Sequence, residues 1–141
     1  MGVSGMIQCG FISGLYRSYF TLTKERTMKF VHIGAPTAQE KNWAGYNAEL
    51  GVHMTDTAAD PFGVEWLKFD ANSPMDKAIQ TKPHTAFQVD NLDAALAGKK
   101  ILHPAVSPAP GMRIAFIEHE GLVIELCEMA GSSCGSGGCG G

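Results

Sequence analysis

The sequence predicts an α+β protein in which paired βαβββ modules form a curved sheet or partial barrel around a cavity. Two segments with strand-like alternation each contain a histidine, Lys29–Thr37 (KFVHIGAPT) and Lys82–Asp90 (KPHTAFQVD). Each is followed by helix signals and then by strand-like runs, one of which places an acidic residue among apolar neighbours. One such unit leaves a face of its sheet uncovered, and a second copy can complete a partial barrel.

The composition favours one domain that binds a small molecule. With 141 residues, of which 45% are hydrophobic and 18% charged, the chain can bury one ordinary core. The net charge of −3 and the pI of about 5.9 give no basic stripe of the kind that nucleic-acid binding requires. No apolar run is long enough for a membrane-spanning helix, so we expect a soluble protein. The domain is expected to cover residues 28–129, with modules at about 28–80 and 82–129.

The two ends of the chain are expected to lie outside this domain. Residues 1–27 are mildly apolar but interrupted by polar residues, without a charged start or a cleavage site, and are expected to be a poorly ordered extension. Residues 130–141 are expected to form a flexible Gly/Ser/Cys tail that contains Cys134 and Cys139. Four cysteines placed at 9, 127, 134 and 139 make no disulfide framework, which favours a reducing, cytoplasmic location.

The first module is predicted to run from a strand into a helix. Thr37 and Glu40 have the spacing of a capping box, which predicts a helix from about Ala38. Helical spacing continues through Trp43, Tyr46, Asn47 and Leu50, and Gly51 is placed to end the helix. Strands are predicted at Val52–Asp56 and Val64–Phe69, one strand fewer than in the second module.

The second module has the same order. A strand over HTAFQV is followed by Asp90 or Asn91 as the cap of a short helix, whose apolar face carries Leu92, Ala95 and Leu96 and which ends at Gly98. ILHPAV predicts a short strand limited by its proline. MRIAFIEH and LVIELCE predict a hairpin around the turn at Glu120-Gly121.

Strand periodicity assigns the polar residues to faces of the sheet. Phe30, His32 and Gly34 are expected to share one face. Likewise, His84 shares a face with Ala86 and Gln88, and Glu125 with Cys127. A carboxylate inside Val-Ile-Glu-Leu is costly to bury without a cationic partner.

Two imidazoles and one carboxylate on converging strands would supply the ligands of a divalent metal and leave positions open for substrate. The candidates are His32, His84 and Glu125, with Glu65 as a possible fourth ligand and Asp70 as a weaker substitute. In the alternative interpretation each histidine is an ordinary residue of the core.

Other candidate site residues are His53, His103 and Cys127, which are predicted to contact substrate. For the two histidines the alternative is a surface position, and for the cysteine it is a buried, inert thiol. The chain contains no Gly-rich phosphate loop that opens a helix and no Gly-x-Ser-x-Gly nucleophile motif.

Between Met28 and Met129 the chain resembles the glyoxalase, bleomycin-resistance and dioxygenase superfamily, also called the vicinal oxygen chelate (VOC) superfamily. The resemblance is carried by FVHIGAPT, AGYNAELGV, PHTAFQVDNLDAAL and AFIEHEGLVIELCE. It implies the paired-module fold, a divalent metal such as Zn, Ni, Mn or Fe, and a homodimer. By this resemblance His32, His84 and Glu125 match the metal positions. Glu65 matches the further glutamate of glyoxalase I, so that Glu65 and Glu125 are the implied catalytic carboxylates.

Three functions are compatible with these residues. The first is a lactoylglutathione lyase-like lyase or isomerase, although this chain has Gly34-Ala35-Pro36 where glyoxalase I has an arginine for glutathione. The second is a metal-dependent dioxygenase or thiol transferase that uses the same two histidines and glutamate. The third is a metal-free module that binds a small molecule, as bleomycin-resistance proteins do.

Overall fold

The computed structural model describes residues 28–131. The expectations for residues 1–27, for Cys134 and for Cys139 lie outside this range. Eight strands are present: β1 (Lys29–Pro36), β2 (Gly45–Asn47), β3 (Val52–Met54), β4 (Val64–Phe69), β5 (His84–Gln88), β6 (Lys100–Ala109), β7 (Met112–His119) and β8 (Leu122–Met129). The helices are α1 (Lys77–Thr81), α2 (Leu92–Leu96) and a single 3₁₀ turn (Thr57–Ala59).

All eight strands belong to one mixed sheet with the order β2-β3-β4-β1-β5-β8-β7-β6. In each half the first strand pairs in parallel with the last, β1 with β4 and β5 with β8. The two halves meet at the sheet centre, where β1 and β5 are antiparallel. Residues from all eight strands line a single cavity, so the sheet is curled around it. The predicted fold class, paired modules around a shared cavity, is confirmed.

The core has one cluster on each face of the sheet. The cluster on the cavity side includes Phe116, Val123 and Cys127. The cluster on the other side includes Leu92 of α2 and Leu126 of β8. Alternate residues of β8 therefore enter different clusters, as the period-two pattern of LVIELCE predicts. Asn91 caps α2 by accepting a hydrogen bond from Ala94 N–H at 2.9 Å, which confirms the predicted second-module helix.

The helix predicted from Ala38 is absent, and this prediction was wrong. Both parts of the expected capping box have other partners: Thr37 Oγ1 accepts from Gln39 N–H at 3.1 Å, and the Thr37 N–H donates to the Leu67 carbonyl at 2.8 Å. The Glu40 carboxylate accepts from the indole of Trp43 at 3.1 Å. Because the Thr37 N–H is already donated to Leu67, it is not available to the Glu40 carboxylate, and the first turn of a helix is not closed.

Strand β2 lies where that helix was expected, and it supplies the strand that the first module seemed to lack. Tyr46 is paired with His53 of β3, and their rings are 4.4 Å apart. Asn47 accepts a hydrogen bond from Leu50 N–H at 3.0 Å, and Gly51 adopts a positive φ of 58° in the connecting turn. The apparent helical spacing of these residues thus belongs to a hairpin.

Two further strand predictions need correction. β6 was expected to be short, yet it extends over ten residues and includes both Pro104 and Pro108. It is an edge strand with three register shifts, which accommodate prolines that cannot donate to a neighbouring strand. Phe30 does not share a face with His32, because a register shift between them places Phe30 opposite Phe87, at 6.5 Å between ring centroids.

Helix α1 connects the two modules and was not predicted. Asp76 accepts a hydrogen bond from Ala78 N–H at 2.8 Å, and Ile79 is fully buried against the cavity-side cluster. Within residues 28–131, no helix is both long and apolar enough to cross a membrane.

Candidate functional site

The side chains of His32, His84 and Glu125 meet at the centre of the sheet. His84 Nε2 lies 2.9 Å from Glu125 Oε2, and His32 Nε2 lies 3.5 Å from the same oxygen. One potential ligand atom from each residue lies within 4.8 Å of the other two. All three residues are buried, with 9%, 3% and 5% of their surfaces exposed. The three ligands predicted from the sequence are therefore brought together.

Strand register explains this convergence. In the first module Gly34 of β1 is opposite Glu65 of β4, and in the second Ala86 of β5 is opposite Glu125 of β8. His32 and His84 each precede the residue opposite the glutamate by two positions, so each module presents a histidine and a glutamate in the same relation. The antiparallel pairing of β1 with β5 then places these two pairs side by side.

The buried imidazole nitrogens lack hydrogen bonds of acceptable geometry. This holds for His32 Nε2 and for both ring nitrogens of His84, despite the short distances to Glu125. Buried polar atoms without partners are costly, and most proteins satisfy them. A cation bound between two neutral imidazoles and a carboxylate would satisfy these atoms, so the donor set fits a divalent metal such as zinc, nickel, manganese or iron.

Gly34 makes room for the His84 imidazole. A β-carbon at Gly34 would lie 2.1 Å from His84 Cε1 and 2.2 Å from His84 Nε2. On another side the ring packs edge-on against Phe116, with centroids 5.1 Å apart. His84 is thus held between the backbone of one module and an aromatic ring of β7. The sequence pattern placed Gly34 on the site face but gave it no role there.

Glu65 lies at the edge of this group. Its Oε2 is 3.2 Å from His32 Nε2, yet it is outside the three-residue cluster. The Glu65 side chain is 21% exposed, against 6% for Glu125. Burial raises the pKa of Glu65 above its ordinary value, and the nearby Glu125 charge adds to this, while His32 opposes it. Glu65 is therefore the accessible carboxylate with the greater affinity for a proton.

The pKa values of Glu125 and His32 shift in the directions expected for an ion pair. Burial alone would raise the pKa of Glu125, but the contacts with His32 and His84 outweigh burial and lower it to about 2. Burial alone would lower the pKa of His32, but the contact with Glu125 outweighs it and the pKa is raised. Compared with free side chains, the site without metal therefore favours the ionised form of Glu125 and the protonated form of His32.

The metal-free protein is expected to be most stable at mildly acidic pH. The pKa of Glu125 is depressed below its ordinary 4.5, so its stabilisation is present above pH 4.5 and is lost as the pH falls toward about 2. The pKa of His32 is raised above 6.5, so its stabilisation is present below pH 6.5 and is lost as the pH rises through the raised value.

Zinc should reverse this trend, since metal binding requires unprotonated imidazoles and therefore strengthens as the pH rises. Urea unfolding at about pH 5.5, 7 and 8, with a chelator and with excess Zn²⁺, checks both trends. A chelated protein that gained stability between the first and last of these values would contradict the ion-pair interpretation.

The site opens into a cavity of about 600 Å³. This lies within the range of small-molecule sites. Its wall is mainly apolar and includes Met54, Met75, Met112, Ile114 and Phe116. Most of these residues were missed by the sequence analysis. The alternation of β7 could have identified Met112, Ile114 and Phe116. Met54 lies in the three-residue strand β3 and Met75 in the connection between the modules, where the periodic signal is too short or absent.

The three residues predicted to contact substrate are absent from the cavity wall. His53 lies between two strand residues that do line it, and its ring packs on Tyr46 instead. Burial lowers the pKa of His103, whose Nε2 has no hydrogen-bond partner. Cys127 is buried in the core; burial and the Glu125 charge raise its thiol pKa to about 11. Asp70, the weaker substitute ligand, accepts a hydrogen bond from the Tyr46 hydroxyl at 2.6 Å.

Comparison with known proteins gives similarity of fold. No family model matches the chain, and no curated protein matches it. The hypothetical protein BH1468 from Bacillus halodurans C-125 is 16% identical, with a TM-score of 0.50 over 78% of this chain and 100% of that one. A methylmalonyl-CoA epimerase from Mycobacterium tuberculosis is 22% identical, with a TM-score of 0.41 over 82% of this chain and 81% of that one. The likeness to BH1468 concerns the fold alone.

Proposed function

We propose that this chain is a divalent-metal-dependent enzyme of the VOC superfamily, a lyase or isomerase that transfers a proton between neighbouring carbons of a small oxygenated substrate. The observation that carries the proposal is the convergence of His32, His84 and Glu125 on one point at the inner end of an open cavity. Three protein ligands leave further coordination positions for two adjacent substrate oxygens.

The bound cation would supply Lewis-acid stabilisation of negative charge on the substrate oxygens. Glu125 stays ionised as a ligand because its pKa is about 2. Glu65 is suited to move the proton, because it is the more exposed carboxylate and its pKa is raised toward the working range of a general base. In this scheme Glu65 accepts a proton from one carbon and returns it to the next.

The apolar wall supports the same scheme. Its apolar side chains would pack against the body of the bound substrate, with the substrate oxygens directed toward the two histidines. The wall residues Leu67 and Phe116 lie in strands that also carry Glu65 or neighbour Glu125, so the reacting carbon and the base are held by one rigid sheet.

Replacing Glu65 with glutamine should slow proton transfer by about 10²- to 10⁴-fold while metal binding is kept. The amide preserves the shape of the side chain but cannot accept the proton. Deuterium incorporation at the carbon beside the carbonyl of α-hydroxyacetophenone, followed by NMR in D₂O with Zn²⁺-, Ni²⁺-, Mn²⁺- and Fe²⁺-loaded protein, measures the effect. Elemental analysis of the same samples gives the metal content.

Glu49→Gln is the matched control, since Glu49 also lines the cavity but is exposed and is not among the grouped ligands. If deuterium exchange in Glu65→Gln were as fast as in the wild-type protein, Glu65 would not be the base. Loss of metal in that variant would instead make Glu65 a ligand. A wild-type protein that binds no divalent metal would sink the catalytic proposal and favour a binding module.

A further inference from the structure

The cavity wall contains no lysine or arginine from residues 28–131. Several lysine and arginine side chains of this range instead form ion pairs with carboxylates on the outside of the sheet. Arg113 contacts Asp93 at 2.9 Å and Glu128 at 3.4 Å, and Lys100 contacts Glu118 at 3.0 Å. Lys68 is paired with Glu40.

The charged groups that do line the cavity, apart from the two histidines, are carboxylates: Glu49, Glu65 and Glu125. Glu125 belongs to the cluster with His32 and His84, Glu65 lies beside this cluster, and Glu49 is exposed at the turn after β2. A divalent cation at the inner end would offset the charge there.

The rest of the wall is mainly apolar, and its polar members, which are Tyr46, Asn47 and Ser107, are neutral. The Tyr46 hydroxyl already donates to Asp70 and the Asn47 side chain already accepts from Leu50 N–H. No cation from residues 28–131 is therefore present in this wall to pair a buried anion.

We infer that the substrate binds with an uncharged, apolar body, and that its two adjacent oxygens at the metal are its only strongly polar part. This inference rests on the proposed function for the role of the oxygens, whereas the charge preference rests on the wall alone. A phosphate, sulfonate or carboxylate on the body would lose its hydration inside the cavity without gaining a charged partner, which is costly.

The methionines of the wall fit such a body. Met54, Met75 and Met112 come from β3, from the connection between the modules and from β7, and so face the cavity from different sides. Methionine side chains are flexible and polarisable and pack well against aromatic rings. The substrate class is therefore a neutral aromatic or aliphatic compound with vicinal oxygens, and anionic thiol cosubstrates such as glutathione are disfavoured.

The test compares two pairs of probes that differ by one charge. A naphthol and its monosulfonate report on the wall, and a naphthalenediol with adjacent hydroxyl groups and its monosulfonate report on wall and metal together. Affinities are measured by fluorescence titration with Zn²⁺ and with a chelator. The neutral member of each pair should bind at least about tenfold more tightly than the sulfonate, with or without metal.

A cation introduced into the wall should reverse this preference. Met112→Lys exchanges one unbranched side chain for another at a partly exposed position, and it should bring the sulfonate affinity up to that of the neutral probe or beyond it. Leu122→Lys is the control, because Leu122 is 62% exposed at the start of β8 and does not line the cavity. It should leave the ratio unchanged.

The outcomes separate this inference from the proposed function. Equal or tighter binding of the sulfonates by wild-type protein, or no saturable binding of any probe, would overturn the inference. If Met112→Lys does not fold, the wild-type ratio still decides. If Zn²⁺ raises the affinity of the diol no more than that of the naphthol, the proposed metal-dependent function is wrong. The charge preference is tested separately, by the titrations with a chelator.

Discussion

His84→Ala is expected to abolish metal binding, with affinity reduced by more than about a hundredfold, since even groups that only orient a metal ligand are worth 10- to 100-fold. His84 Nε2 is 2.9 Å from Glu125 Oε2, and the residue is only 3% exposed, so no other donor can take its place without movement of the sheet. Removing one partner of the buried carboxylate should also lower the free energy of unfolding by roughly 3 kcal/mol.

Elemental analysis after loading and desalting, together with zinc titration against a chromophoric chelator, measures this loss. His119→Ala removes an exposed histidine at the end of β7 and should keep one metal per chain. His84→Gln retains a polar side chain and serves if the alanine variant does not fold. Full zinc affinity in a folded His84 variant would show that the cluster is not a metal site.

Gly34→Ala is expected to disrupt the site as strongly as loss of a ligand, although it adds only one methyl group. The new β-carbon would lie 2.1 Å from His84 Cε1, and the ring cannot yield easily because Phe116 packs against it at 5.1 Å between centroids. Either the imidazole leaves its position or β1 moves away from β5. We expect a loss of about 1–3 kcal/mol in unfolding free energy and a hundredfold or greater loss in zinc affinity.

Gly45→Ala provides a matched control in the same cavity. A β-carbon there would meet Met54 Cγ at an ordinary 3.7 Å, so stability and metal affinity should both be preserved. Circular dichroism with urea unfolding and zinc titration of the two variants makes the comparison. Normal zinc affinity in Gly34→Ala would mean that the ring is free to move and that the close approach has no role in positioning His84.

The cluster of His32, His84 and Glu125 could be predicted because its residues depart from the local apolar pattern of their strands. Glu125 interrupts an apolar strand and His84 begins one, and their strands were bounded correctly by turn residues such as Gly121. The alternation of side chains along a strand then assigned both Glu125 and His84 to the correct face of the sheet. Because the two modules have the same order of elements, His32 could be matched to His84 from the sequence alone.

The first-module helix could not be excluded in this way. Thr37 and Glu40 satisfy the local rule for a helix start, but the Leu67 carbonyl that accepts from Thr37 N–H and the Lys68 side chain that pairs with Glu40 become neighbours only in the folded sheet. Long-range contacts of this kind override propensity and cannot be read from spacing. The same applies to Phe30, whose face depends on a bulge against β5.

For His53 and His103, the presence of a strand was predicted correctly, but the residues of these strands that line the cavity were not. Both follow the first strand of their module in the sequence. In β3 the cavity is lined by the two residues that flank His53, whereas in β6 it is lined by residues 107–109, several positions beyond His103. A shift of one residue in register exchanges the two faces of a strand. Short strands such as β3, with only three residues, carry too little alternation to fix that register.

The three clustered side chains are divided between the two modules, so the cluster depends on how the modules pack together. His32 comes from the first module, whereas His84 and Glu125 come from the second, so neither half of the chain holds all three. The complete group exists only when β1 is docked on β5. An ion that binds there stabilises the docked arrangement by mass action. A bound cation would therefore link the two modules, and its release on unfolding would report the loss of contact between β1 and β5.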